Sequence, residues 1–259
     1  MSLSSDKIQS NWQLLIDCVK NTFSEDYPDN RREKLLKMYH DLESRMMFAP
    51  ASGRNYYHNC FPGGYVDHIL RVINFAQLHY DLWKSNGAYV DNYTREELIF
   101  VAMNHDLGKV GDLEKDYYVP NESEWHRKNQ GKIYNHNPEL QFMSVSDRSL
   151  WLLSQFDVKT TMYESLGIRL TDGMYDDSNI QYFKSFMPEK QLKFNMPYIV
   201  HHADAMASRI EQEIWQNNSK IGEAQKNEFN KTFTNSNNKK NKKSENIESL
   251  KKQFDDLFN

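Results

Sequence analysis

Four side chains raise the question of chemistry: His68, the adjacent pair His105-Asp106, and Asp204. Two imidazoles and two carboxylates are donor types that hold a divalent cation. Each also stands in a stretch too apolar to keep it without a reason. His68 lies in Gly63-Gly64-Tyr65-Val66-Asp67-His68-Ile69-Leu70-Arg71-Val72, and Asp204 in Tyr198-Ile199-Val200-His201-His202-Ala203-Asp204-Ala205-Met206-Ala207. A carboxylate left unpaired among such neighbours costs on the order of several kcal/mol, so it must meet a metal, a cation or donors from another helix. Arg209 is the structural alternative for Asp204, although at five residues on it points to a different face. His105-Asp106 closes an apolar run just before Gly108, where the unpaired carbonyls and the negative end of a helix dipole favour a cation. A divalent ion held by these groups would act as a Lewis acid and lower the pKa of its bound water.

The elements that must position these groups read as helices. Apolar residues recur at helical spacing from Ile8 to Cys18 and from Arg32 to Met47. Pro50 to Gly64 reads as a loop entering a helix at Gly63-Gly64, and that helix runs from Tyr65 to about Trp83 with apolar residues on more than one face. Thr94 with Glu97 forms a capping box for a helix expected to stop at Gly108. Lys109 to about Ser146 reads as a long irregular segment, the roof of a site. Shorter helical patterns span Asp147 to Phe156 and Lys159 to Ile168, ahead of a turn at Thr171-Asp172-Gly173. Pro197 then opens a helix through Trp215.

The ordered set of a Gly-Gly-led helix with His68, then Asn104-His105-Asp106-Leu107-Gly108-Lys109, then His202-Ala203-Asp204 resembles the HD-domain superfamily of metal-dependent phosphohydrolases. The resemblance covers about residues 60–215. It implies an all-α, HD-domain-like helical bundle with a long irregular loop over the site, and His68, His105, Asp106 and Asp204 as ligands. The implied cofactor is one divalent ion, Mn, Fe, Co, Ni or Zn. The resemblance also gives Lys109, three residues past Asp106, a phosphate-binding part in catalysis beside Asp106. Asp67 and Asp106 stand as proton acceptors. Two-metal members of the family carry further histidines where this chain has Thr171, and His126 or His136 would replace them only if the loop folds back, so a single ion is expected. Thr171, His126, Arg127 and His201 are the substrate-side candidates. The segment Trp125-His126-Arg127-Lys128 combines aromatic and basic groups suited to a nucleotide, with a solvated turn as the alternative. His201 shares a face with Asp204 and either supports the site or packs the helix, whereas His40, His58, His79 and His136 read as surface or ordinary packing.

Composition limits the alternatives. A chain of 259 residues with 39% apolar and 13% aromatic content builds a substantial core. The longest apolar run, Leu98 to Met103, is far short of a membrane span, and two cysteines, Cys18 and Cys60, make no disulfide framework. A cytoplasmic protein is therefore expected. Residues 217–259 contain nine Lys and six Asp or Glu against an overall charge of −4, so the body is acidic, which argues against broad nucleic-acid binding. The organisation expected is a helical domain at 1–216, an Asn/Lys/Ser-rich flexible linker at 217–246 and an amphipathic peptide at 247–259. In that peptide Leu250, Phe254, Leu257 and Phe258 share a face, and it is similar to the peptides by which some tailed-phage proteins dock on a sliding clamp. The function expected is hydrolysis of a small phosphorylated substrate, foremost a nucleotide. Two alternatives are a diiron oxygenase on the same fold and a non-catalytic module that recruits a partner through its tail.

Overall fold

The computed structural model describes residues 2–218 of the chain. It is predominantly helical, with one two-stranded antiparallel sheet among the described residues. The linker and terminal peptide lie outside the described residues, apart from positions 217 and 218, which close the last helix. The chain divides into two units, Met1–Gln212 and Glu213–Asn259. All four candidate ligands belong to the first unit.

Helix α1 (Ser5–Thr22) starts where the Ser4 side chain accepts from the Lys7 amide and buries Ile8, Trp12, Leu15 and Val19 along one stripe. The single helix expected from Arg32 to Met47 is two, α2 (Arg31–Asp41) and α3 (Glu43–Phe48), broken at Leu42. The break lets Leu42 and Met46 both reach the interior along with Leu35, Met38 and Tyr39. Helix α4 (Gly64–Ser85) is buried on several sides, as its apolar pattern indicates. Gly63 precedes it with φ +84°, and a Cβ on Gly64 would stand 2.1 Å from the Asn59 carbonyl oxygen, so the loop carrying His58 and Asn59 lies directly on the helix start.

Helix α5 (Arg95–Asn104) opens with the expected capping box, the Thr94 hydroxyl accepting from the Glu97 amide while the Glu97 carboxylate accepts from the Thr94 amide. Every residue from Glu97 to Asn104 is buried, so α5 runs through the middle of the bundle. It ends at Asn104, not at Gly108, and a tight 3₁₀ turn over Leu107–Val110 follows. His105 and Asp106 therefore occupy the exit of α5, where side chains leave helical register.

The segment expected to be irregular is ordered instead. Strands β1 (Tyr118–Pro120) and β2 (Tyr134–His136) pair with Tyr118 opposite His136 and Pro120 opposite Tyr134, and helix α6 (Glu124–Gln130) fills the connection. Backbone bonds from Ile133 and Tyr134 to the Gly53 carbonyl, with a single bridge between Arg54 and Lys132, tie this hairpin to the loop before α4. Helices α7 (Val145–Gln155) and α8 (Met162–Arg169) pack on the α5 exit and on α5 itself. A Cβ on Gly108 would come within 2.2 Å of the Val145 carbonyl oxygen, which is why glycine stands where α7 crosses the His105-Asp106 turn. After a short helix α9 (Ile180–Phe183), α10 (Met196–Asn218) returns and buries Ile199, Val200, Ala203 and Ala207 in the same core. Among the described residues no helix is long and apolar enough to cross a membrane.

Candidate metal centre

Helices α4 and α10 and the exit of α5 bring the four candidate ligands together. His68 Nε2 is 3.1 Å from Asp204 Oδ1 and 3.7 Å from Asp106 Oδ2, and His105 Nε2 is 3.5 Å from the same Asp106 oxygen. Two donors bound at about 2.0–2.2 Å to one ion lie roughly 3–3.6 Å apart, so these separations need little adjustment to surround a cation. The ligand atoms of His68, His105 and Asp204 all fall within 4.8 Å of one another.

The orientation of each imidazole is set by what holds its far nitrogen. His105 Nδ1 lies 3.0 Å from the Ala102 carbonyl oxygen, which only accepts, so Nδ1 carries the proton and Nε2 faces the cluster. Ser149 on α7 fixes this turn, donating to the His105 carbonyl and accepting from the Gly108 amide. His68 Nδ1 donates to Glu211 at 3.1 Å, and Arg71 Nε donates to the same carboxylate at 3.1 Å. Glu211 is buried, two helical turns beyond Asp204 on one face of α10. A carboxylate behind a ligating histidine fixes the ring and raises its basicity. His68 Nε2 and His105 Nε2 are both buried and neither is aligned in a hydrogen bond.

Electrostatics follow from the crowding. Burial works against charge on His68, but Glu211 and Asp204 outweigh it and raise its pKa to about 10. Burial pushes Asp204 upward, and the His68 ring 3.1 Å away overcomes it, so the carboxyl lies well below the usual carboxylate range. Asp106 is likewise held ionised against burial by Lys109 and His105. Lys109 Nζ sits 2.6 Å from Asp106 Oδ2, and that carboxylate keeps the buried ammonium charged. Asp172 is raised by loss of water and then by the Asp106 charge, which places it within electrostatic range of the cluster.

The other expected residues take different places. Asp67 is committed to structure, one carboxylate oxygen accepting from Asn11 and the other from Asn59. Thr171 is buried and its hydroxyl donates to the Gly167 and Ile168 carbonyls, while its own carbonyl accepts from His201 Nδ1 at 2.8 Å. His201 thus stands beside the Thr171 turn, and its ring is 6.2 Å from that of Phe183. His126 and Arg127 lie on the exposed helix α6, with Arg127 donating to the Asn121 carbonyl. Arg209 donates to Gln212, while His68 is the base that stands against Asp204.

One residue read as ordinary packing belongs to the centre. The His58 ring lies 4.7 Å from that of His68, its Nε2 is buried without a partner, and burial followed by the nearby His68 charge drives its pKa well below the usual histidine value. His58 and Lys109 also line a cavity of about 1060 Å³ whose far wall is the β1–β2 hairpin. That volume suits a small organic ligand, and of the residues lining it His58 stacks near His68 and Lys109 bonds Asp106. Cys18 and Cys60 are free thiols, and burial pushes Cys60 up to about 12, which leaves it unreactive. Neither family models, curated proteins nor solved structures provide a match to this chain.

Proposed function

We propose that the chain is a metal-dependent phosphohydrolase of the HD-domain type, acting on a small phosphorylated substrate, foremost a nucleotide. The observation that carries this reading is the convergence of two buried imidazole nitrogens, neither aligned to a partner, on two ionised carboxylates. In this arrangement His68, His105, Asp106 and Asp204 hold one divalent ion, of Mn, Fe, Co, Ni or Zn type. Such an ion supplies Lewis acidity and a nucleophile at neutral pH.

The chain's own residues account for the rest. Glu211 holds the His68 Nδ1 proton and so directs the Nε2 lone pair at the centre. Lys109, which reaches Asp106 and borders the cavity, binds the phosphoryl oxygens. Asp172 is a carboxyl raised within range of the centre and suits acceptance of a proton. Tyr118 and Tyr134 give the cavity flat aromatic faces for a base or sugar. His58, His68 and Glu211 also lie close enough to hold an ion, but there the Glu211 carboxylate is engaged by the His68 N–H and by Arg71, which favours one ion over two.

The test is the metal content of the purified protein, followed by a nucleotide screen with added Mn or Co. Bound metal and turnover, both lost in His105→Ala and Asp204→Asn, are expected. Absence of metal uptake, or turnover indifferent to both substitutions, would remove the proposal. Deleting residues 247–259 separates tail from site: turnover is expected to persist while any clamp-type partner is lost.

A further inference from the structure

Arg54 and Lys132 stand directly opposite one another across the isolated antiparallel bridge between the loop before α4 and the hairpin. Residues so paired place their Cβ atoms about 4.5–5.5 Å apart on one face, and like charges in that register repel. Neither side chain makes a hydrogen bond or ion pair among the described residues. Every other arginine among them does, from Arg31 with Glu164 and Arg71 with Glu211 to Arg127 and Arg148 with backbone carbonyls. Arg54 and Lys132 are both half-buried, and both line the cavity that His58 and Lys109 border. The backbone beneath them is fixed, because the Gly53 carbonyl accepts from Ile133 and Tyr134 and the Arg54 carbonyl accepts from Tyr57 and Ser52. Glu122 is the one acid on the cavity wall among the described residues and pairs with neither.

Two partly dehydrated cations on a held backbone, neither paired with a counter-charge, favour an anion between them. We propose that Arg54 and Lys132 form a second phosphate subsite, so that the preferred ligand is a nucleotide with two phosphoryl groups, one at the metal centre and one between these side chains. The proposal deepens, and rests on, the phosphohydrolase reading. The bidentate guanidinium suits a phosphate dianion, and Lys132 supplies a second, rotatable donor. Tyr118 and Tyr134, with ring centroids 6.2 Å apart, lie on the same wall and suit the nucleoside portion.

Calorimetric titration of the full chain tests the subsite without requiring turnover. The ligands are a nucleoside 5′-monophosphate, the matching 5′-diphosphate and the matching 3′,5′-bisphosphate. The wild type is expected to bind one of the two doubly phosphorylated ligands at least on the order of tenfold more tightly than the monophosphate, the scale of one charge-assisted bond. Which one it prefers tells whether the two phosphates are contiguous or separated. In Arg54→Gln and in Lys132→Gln that advantage is expected to shrink, and in the double variant to vanish, with monophosphate affinity unchanged. Equal affinity for all three ligands in the wild type, or an advantage that survives the double substitution, overturns the subsite. Metal uptake measured alongside keeps the two ideas apart: a protein that takes no metal yet shows the Arg54-dependent preference retains the subsite and loses the hydrolase.

Discussion

Glu211→Gln is the substitution that most directly probes how the centre works. The carboxylate accepts from His68 Nδ1 and Arg71 Nε at 3.1 Å each, and glutamine keeps the shape and one acceptor while removing the charge. Its consequences are two, of opposite sign. Loss of the group behind the ligating ring weakens metal binding by about 10–100-fold. Against that, the metal-free His68 holds its proton with a pKa of about 10, so at pH 7 an incoming ion must displace a proton, which lowers apparent affinity by up to about a thousandfold. Without the Glu211 charge, burial is opposed chiefly by Asp204 and the proton is held less tightly. The result is a difference in slope. Wild-type log affinity for Mn or Zn, measured against a competing chelator, is expected to rise by about one unit per pH unit from 6.5 to 8.5. The variant is expected to rise distinctly less, so the wild type's advantage grows with pH. Parallel slopes in the two proteins would refute the coupling, and a pH-independent wild type would refute the assigned state of His68.

The same proton makes the stability of chelator-treated protein depend on pH. A folded pKa raised above the unfolded value of about 6.5 gives a contribution that is complete below that pH and lost as pH climbs toward 10, so Tm is expected to fall over that interval unless metal is bound. Lys109→Met should retain metal and lower turnover about 100-fold, the scale for removing one charged donor from a developing oxyanion; equal activity would place the phosphate elsewhere. His58→Ala should likewise keep metal while lowering turnover, and loss of metal instead would make His58 a ligand. Arg31→Met should destabilise by about 3–5 kcal/mol in urea unfolding, because it leaves the fully buried Glu164 without its cation, and Arg31→Met with Glu164→Met should recover much of that.

Much of the helical framework was legible because its signals are local. The Thr94–Glu97 box and the apolar stripes of α1 and α4 need only neighbours along the chain. The break at Leu42 carries no Gly or Pro and answers only to the fit of Leu42 and Met46 into the core. The hairpin was illegible for a related reason: its strands are three residues each, one contains Pro120, and the helix between them buries no residue. It is ordered by a set of backbone bonds to Gly53 and Asn55, about eighty residues earlier in the chain, and no alternation records them. The candidate ligands stood out because His68 and Asp204 interrupt apolar helices. His58 interrupts nothing, since it sits in a polar loop and matters only because Gly64 lets that loop lie on α4. Glu211 begins a charged run and reads as solvent-facing, although its distance of seven residues from Asp204 was the available signal.

The chain contains its own comparison for what a purely structural ion pair looks like. Arg31 meets Glu164 through two nitrogens on two oxygens, and a third guanidinium hydrogen goes to the Lys159 carbonyl at 2.9 Å. Both carboxylate oxygens there meet aligned donors, and the pair ties α2 to α8. The cluster at His68 is built differently. Asp106 has the Lys109 ammonium and Asp204 the Ser208 hydroxyl, yet the two imidazole nitrogens nearest these carboxylates are aimed at the same space and align with neither. His105 gives its Nδ1 proton to the Ala102 carbonyl, and its Nε2 meets an Asp106 oxygen at 3.5 Å without aligning to it, an unsatisfied contact in a site with little water to relieve it. Adding protons relieves only part of this, because one His68 proton cannot serve Asp204 and Asp106 together. A single divalent ion would relieve all of it, accepting both lone pairs and both carboxylates at once, and on that difference in satisfaction rests the proposed metal centre.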